Sequence, residues 1–115
     1  MTSDLTETSD LAPAVALFRS LSDPIRLRLL QRLTGSEARI VDLTAELQLA
    51  QSTVSTHVAC LRDCGLITGR PEGRQMFYTL SRPELIELLG SAEELLAATD
   101  HQVALCPRYG KEDQS

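Results

Sequence analysis

The chain lacks any apolar run long enough to cross a bilayer, so no membrane-spanning helix and no membrane partner are expected. Its first ten residues, Met1 to Asp10, offer neither a basic start nor an apolar stretch, so no secretory leader is expected and the cytoplasm is the expected location. Repeats and low-complexity tracts are missing. So are a phosphate-binding loop and any recognisable catalytic grouping of Ser, His and acid, so neither an enzyme nor a small organic substrate is expected. Cysteine is scarce, with three in 115 residues. In a reducing compartment these thiols favour metal binding or redox chemistry over a structural disulfide. The length supports one domain with a modest core, small enough to favour dimerisation.

Positive charge is also short. A net charge of −5 argues against a nucleic-acid partner until it is mapped along the chain. Residues 19–82 hold nine arginines against six acids, whereas residues 1–18 sum to −3 and residues 83–115 to −5. Local charge governs phosphate contact, so the central stretch remains suited to DNA. The acidic flanks predict weak non-specific binding at cellular salt.

Helical periodicity is plentiful. Leu11, Val15, Phe18 and Leu21 predict a first amphipathic helix, broken at Ser22-Asp23-Pro24. Asp23 as N-cap and Pro24 in the first turn open a second, with Ile25, Leu29, Leu30 and Leu33 inward and a stop near Gly35. Val41 to Gln48 form a short third helix with Val41, Leu43 and Leu47 inward. After a turn at Leu49-Ala50 comes a fourth, with Val54, Val58 and Leu61 on one face and Gly65 just past its end. Two short helices joined in this way are a helix-turn-helix. Residues Leu66 to Arg70 and Arg74 to Leu80, around Pro71-Glu72-Gly73, predict a β-hairpin wing. Residues 83–98 form a strongly apolar last helix.

The fold class is therefore mainly α with a small β-hairpin: a winged helix-turn-helix. Residues 1–10 are read as a disordered N-terminal segment, 11–98 as the DNA-binding and dimerisation domain, and 99–115 as a tail. The first and last helices carry more apolar surface than so small a core needs. The surplus is assigned to a homodimer, which would set two recognition helices about one DNA turn apart.

The fourth helix carries two chemistries. Gln51, Ser52, Thr53, Ser55, Thr56 and His57 offer the amide, hydroxyl and imidazole groups that contact bases and phosphates. Arg70 and Arg74 flank the hairpin tip, where a wing meets phosphates or the minor groove of double-stranded operator DNA. Cys60 and Cys64 lie one helical turn apart on a stripe displaced from the Val54/Val58/Leu61 face, so both thiols can reach one soft ion. Their bland alternative is a pair of small half-buried hydrophobes.

In order and spacing, Leu21-Ser-Asp-Pro-Ile-Arg-Leu-Arg-Leu-Leu30, Gln51-Ser-Thr-Val-Ser-Thr-His57, Cys64-Gly-Leu66 and Glu72-Gly-Arg-Gln-Met-Phe-Tyr78 resemble the ArsR/SmtB family of bacterial metal-responsive repressors. The resemblance covers roughly residues 15–80. It implies a dimeric winged-helix protein that releases its operator when an inducer binds. The Cys-x-Cys site that some members carry before the third helix is absent, since Arg39 and Val41 stand there. The Asp/His site of others on the last helix is not matched by its glutamates. The match is instead to the cadmium- and lead-sensing type, which implies Cys60, Cys64 and Cys106 as ligands, with zinc a competitor. A fourth donor, if used, would be His57, His101 or solvent. The alternative function is a thiol-redox or persulfide-sensing repressor without a physiological metal. A rival from another class is a winged helix serving protein contacts only.

Overall fold

The computed structural model describes residues 2–99 and Leu105, with side chains from Asp10 onward. Seven elements follow in order: α1 (Thr2–Leu21), α2 (Pro24–Leu33), α3 (Ile40–Leu47), α4 (Gln51–Asp63), β1 (Ile67–Glu72), β2 (Gln75–Leu80) and α5 (Glu84–Ala98). Each boundary has a local cause. The Asp23 carboxylate accepts from the backbone N–H groups of Ile25 (2.8 Å) and Arg26 (3.1 Å), satisfying two of the donors a helix start leaves open. Pro24 costs nothing there, because its missing N–H is not needed. Asp42, three residues into α3, accepts from the Arg39 N–H at 3.0 Å. Gln48 ends that helix in the left-handed region, at φ 57°. At the end of α4, Gly65 N–H bonds to the Arg62 carbonyl (2.9 Å) and Leu66 N–H to that of Leu61 (3.0 Å). This double closure needs a positive φ, which Gly65 supplies at 80°.

Helix α1 starts at Thr2 and takes in most of the segment read from the sequence as disordered. Residues 2–12 contain no glycine or proline to interrupt it, and Pro13 lies inside the helix. No described helix is long and apolar enough to cross a membrane.

The core gathers Leu29, Leu30 and Leu33 of α2, Leu43 of α3, the Val54/Val58/Leu61 stripe of α4, and Leu85 and Leu89 of α5. Val41 departs from expectation. It is 58% exposed, while Leu43 is fully buried. Two residues along a helix turn the side chain by about 200°, so both cannot face the same core. Leu11, Val15 and Phe18 of α1, and Leu95 of α5, also stand exposed.

The hairpin pairs antiparallel from Ile67↔Leu80 to Glu72↔Gln75. Its tip is thus Gly73-Arg74, with Gly73 at φ 64°, later in the chain than the expected Pro71-Glu72-Gly73 turn. Pro71 lies within β1, whose outer edge has no strand partner among the described residues needing its missing N–H. On the inner side Ala38 bridges to β2: its N–H donates to the Tyr78 carbonyl (3.0 Å), and Tyr78 N–H donates back (2.8 Å).

Candidate DNA interface and thiol stripe

Burial of Val54, Val58 and Leu61, each at most 1% exposed, fixes the rotation of α4 and so decides what every other residue on it faces. Gln51, Ser52 and Thr56 stand exposed, with Thr53 and Ser55 half-buried beside them. Thr56 donates its hydroxyl proton to the Ser52 carbonyl (2.9 Å), leaving the Thr56 oxygen outward as an acceptor. This face has the donors and acceptors that base edges and phosphates require.

His57 belongs elsewhere. Its side chain is 18% exposed and packs at the junction of α1 and α2. Arg26 Nη1 donates to His57 Nδ1 at 3.2 Å, and His57 Nε2 lies 4.0 Å from the Asp23 carboxylate. Accepting from Arg26 requires a free lone pair on Nδ1, which puts the neutral ring's proton on Nε2, toward Asp23. The same Arg26 donates to the Ser20 carbonyl (2.7 Å) and the Arg19 carbonyl (3.1 Å). One turn beyond Cys60, Cys64 Sγ shares a hydrogen bond of 2.8 Å with Ser20 Oγ, a hydroxyl on a residue only 3% exposed. The flank that carries His57 and both thiols is thus stitched to the α1–α2 corner. The Asp23 carboxyl is held below the usual range, chiefly by the Arg26 N–H at its cap position.

Both Cys60, half-buried, and Cys64, exposed, are free thiols. Thiols one helical turn apart supply two of the three or four donors that a soft ion takes. Among the described residues no three His, Cys, Asp or Glu side chains gather into a metal site. Cys106 and His101 lie outside the described residues.

The two wing arginines differ. Arg74 is exposed at the hairpin tip. Arg70, in β1, reaches the Glu37 carboxylate with Nη2 (2.6 Å) and Nε (3.3 Å), and Glu72 with Nη1 (2.7 Å). These bonds raise the Arg70 guanidinium above its ordinary value and lower the Glu37 carboxyl. Phe77 lies beneath both Arg70 (5.0 Å to the ring centroid) and Arg39 (5.7 Å). Arg39 in turn holds Asp42 through bonds of 2.9 and 2.8 Å, and pulls that carboxyl down to about 2.

Sequence reasoning did not find Ser20, Arg26 or Glu37. Their partners lie 44, 31 and 33 positions away, and no local spacing signals such contacts.

Comparison with known proteins accords with this architecture. Residues 23–68 match the family described as bacterial regulatory protein, arsR family. The chain is 40% identical over 84 residues to the HTH-type transcriptional regulator CmtR of Mycobacterium tuberculosis, covering 73% of this chain and 71% of that one. It is 32% identical over 97 residues to a probable mercury resistance operon repressor of Streptomyces lividans, covering 84% and 78% respectively. Among solved structures, HlyU from Vibrio cholerae superposes with a TM-score of 0.67 at 34% identity, over 76% of this chain and 96% of that one. The NMR structure of the cadmium metal-sensor CmtR from Mycobacterium tuberculosis does so with 0.58 at 42% identity, over 67% and 80%. A helix-turn-helix with an outward polar face, a hairpin wing and these relatives together place the chain in the ArsR/SmtB family of winged helix-turn-helix, DNA-binding transcriptional regulators, and not among enzymes.

Proposed function

We propose that the chain is a homodimeric repressor that binds operator DNA when metal-free and releases it on taking up a soft metal ion, cadmium or lead. The observation that carries this reading is the position of Cys60 and Cys64. Cys60 lies on the recognition helix itself and Cys64 caps its end, both on the flank that meets α1 and α2. Two relatives, one named a cadmium metal-sensor and the other a probable mercury resistance operon repressor, carry in their names metals of the same thiophilic class. Cys60, Cys64 and Cys106 would hold the ion. Leu105, the residue before Cys106, packs half-buried against the core. The exposed Leu11, Val15 and Phe18 of α1 and Leu95 of α5 offer the apolar surface a two-fold dimer would cover.

Ligation would supply a cross-link between tail and recognition helix. Cys64 would then exchange its hydrogen bond to Ser20 for a metal bond, loosening the stitch that sets α4 against α1. Linkage requires that metal weaken DNA binding by the same factor by which DNA weakens metal binding. Ligation also needs deprotonated thiols, so apparent metal affinity falls as pH falls.

The test is a cadmium titration of reduced protein bound to fluorescent DNA from its own promoter, following thiolate-to-metal absorption and anisotropy together. Absorption is expected to rise as DNA is released, and Cys60→Ser is expected to keep operator binding while losing release. Normal release by Cys60→Ser would overturn the assigned site. Release driven by oxidant and unaffected by a chelator would replace the metal with thiol redox chemistry.

A further inference from the structure

Arg70 and Arg74 are alike in sequence and unlike in situation. Every nitrogen of the Arg70 guanidinium bonds to a carboxylate, with two on Glu37 and one on Glu72. The paired contact with Glu37 has the fork geometry and charge that a phosphate would offer. Its side chain is still 50% exposed, so the guanidinium is occupied without being buried. Arg74 makes no ion pair among the described residues.

Glu37 is not part of the hairpin. It precedes Ala38, whose N–H and carbonyl are both bonded to Tyr78. The carboxylate therefore stands on the body of the domain, at the root of the wing. Glu72 sits on the same strand as Arg70 and moves with it. Across Arg70, Arg74, Glu37 and Glu72 the charge sums to zero. A wing approaching DNA in this state brings one free cation, and the carboxylates come with it.

We infer that Glu37 is an internal competitor for DNA: it holds Arg70 in place of a phosphate, so that on engagement of the wing only a minority of complexes exchange one oxyanion for the other. The inference rests on the reading of the wing as a DNA contact. Such an exchange keeps the Phe77 face under the guanidinium throughout, because Arg70 and Phe77 are cross-strand partners in the same hairpin. It also sets affinity and salt dependence below what the count of arginines would give. Glu37 thereby becomes a residue that determines affinity without touching DNA.

Two other roles for Glu37 give different results. If it only repels DNA through space, removing its charge helps equally with or without Arg70. If it pins the wing in a binding-competent pose, removing it weakens binding. The experiment measures affinity of the full chain for its promoter duplex and for an unrelated duplex of equal length, from about 50 to 200 mM salt. The proteins are wild type, Glu37→Gln, Arg70→Gln and the double variant, with Glu94→Gln, at an exposed position of α5, as a remote control for net charge.

Glu37→Gln is expected to bind both duplexes several-fold tighter, with log K falling more steeply against log salt by up to about 0.9, the most that one phosphate contact adds. In the Arg70→Gln background the same change should steepen nothing, and Glu94→Gln should leave the slope alone. Equal gains in both backgrounds, or a loss on Glu37→Gln, would overturn the inference while leaving the repressor reading intact. A wild-type protein that binds neither duplex would overturn both.

Discussion

Helix α4 and the wing solve the same problem, holding polar groups toward solvent, by different means. Helix α4 is anchored by apolar burial: Val54, Val58 and Leu61 are sealed in the core, so its outer hydroxyls have no part in holding it. The hairpin has few buried side chains, mainly Ile67 and Tyr78, and it completes its attachment with charge. Arg70 is bonded to Glu37 at its root and to Glu72 near its tip. An element short of apolar contact uses its ionic groups for itself. Exposure and availability are therefore different properties, and the two halves of the proposed DNA interface differ in the second.

The largest effect should come from the apolar anchor. Leu61→Ala is expected to lower unfolding free energy by about 2–5 kcal/mol. Thr56→Ala, on the opposite face of the same helix, should change it by less than about 0.5 kcal/mol and weaken operator binding instead. Urea denaturation at one fixed protein concentration, paired with anisotropy, separates the two. A stability loss of similar size in both variants would show that α4 is not held in the way its burial implies.

The wing gives a smaller effect, read in salt dependence. Arg74→Gln should weaken binding to all sequences alike and flatten the slope of log K against log salt by about 1. Arg70→Gln should flatten it by less than half as much, because Glu37 and Glu72 already occupy that cation. Reversal of this order would mean that Arg70 is free when DNA arrives.

The smallest effect concerns Asp42, the carboxylate that caps α3 and holds Arg39. Its folded value of about 2 lies below its ordinary 3.8, so protonation is harder in the folded state. The stabilisation it contributes is complete above 3.8 and is lost as pH falls through about 2. Carboxyl chemical shifts should place its midpoint near 2 in the wild type, and Arg39→Gln should move it back toward 3.8. A midpoint unmoved by that substitution would assign the depression to the backbone N–H of Arg39 rather than to its guanidinium. The ion pair at α3 would then contribute less than the one at the wing.

Most of the architecture was legible locally. Asp23-Pro24 and Gly65 mark helix ends because capping and positive φ are properties of a few neighbouring residues. The Val54/Val58/Leu61 spacing marks a buried stripe because helical geometry is periodic. Where spacing was misread, as at Val41, the same geometry supplies the correction. The spacing of the thiols was legible too, since one helical turn separates Cys60 from Cys64 at the end of α4. The turn at the wing tip was less so: Pro71 and Gly73 both favour turns, and only strand pairing selects Gly73-Arg74.

By itself the sequence determined the helix order, the winged helix-turn-helix class, the basic middle between acidic flanks, and a helix that carries outward hydroxyls together with a thiol pair at its C-terminal end. Each follows from residue chemistry at separations of a few positions, where backbone geometry is nearly fixed. Tertiary structure alone decided that His57 turns to Arg26 and Asp23, that Cys64 meets Ser20, and that Arg70 is already bonded to Glu37. Those contacts join positions tens of residues apart. Their distances are set by how helices and hairpin pack around the core, and no local pattern encodes that packing.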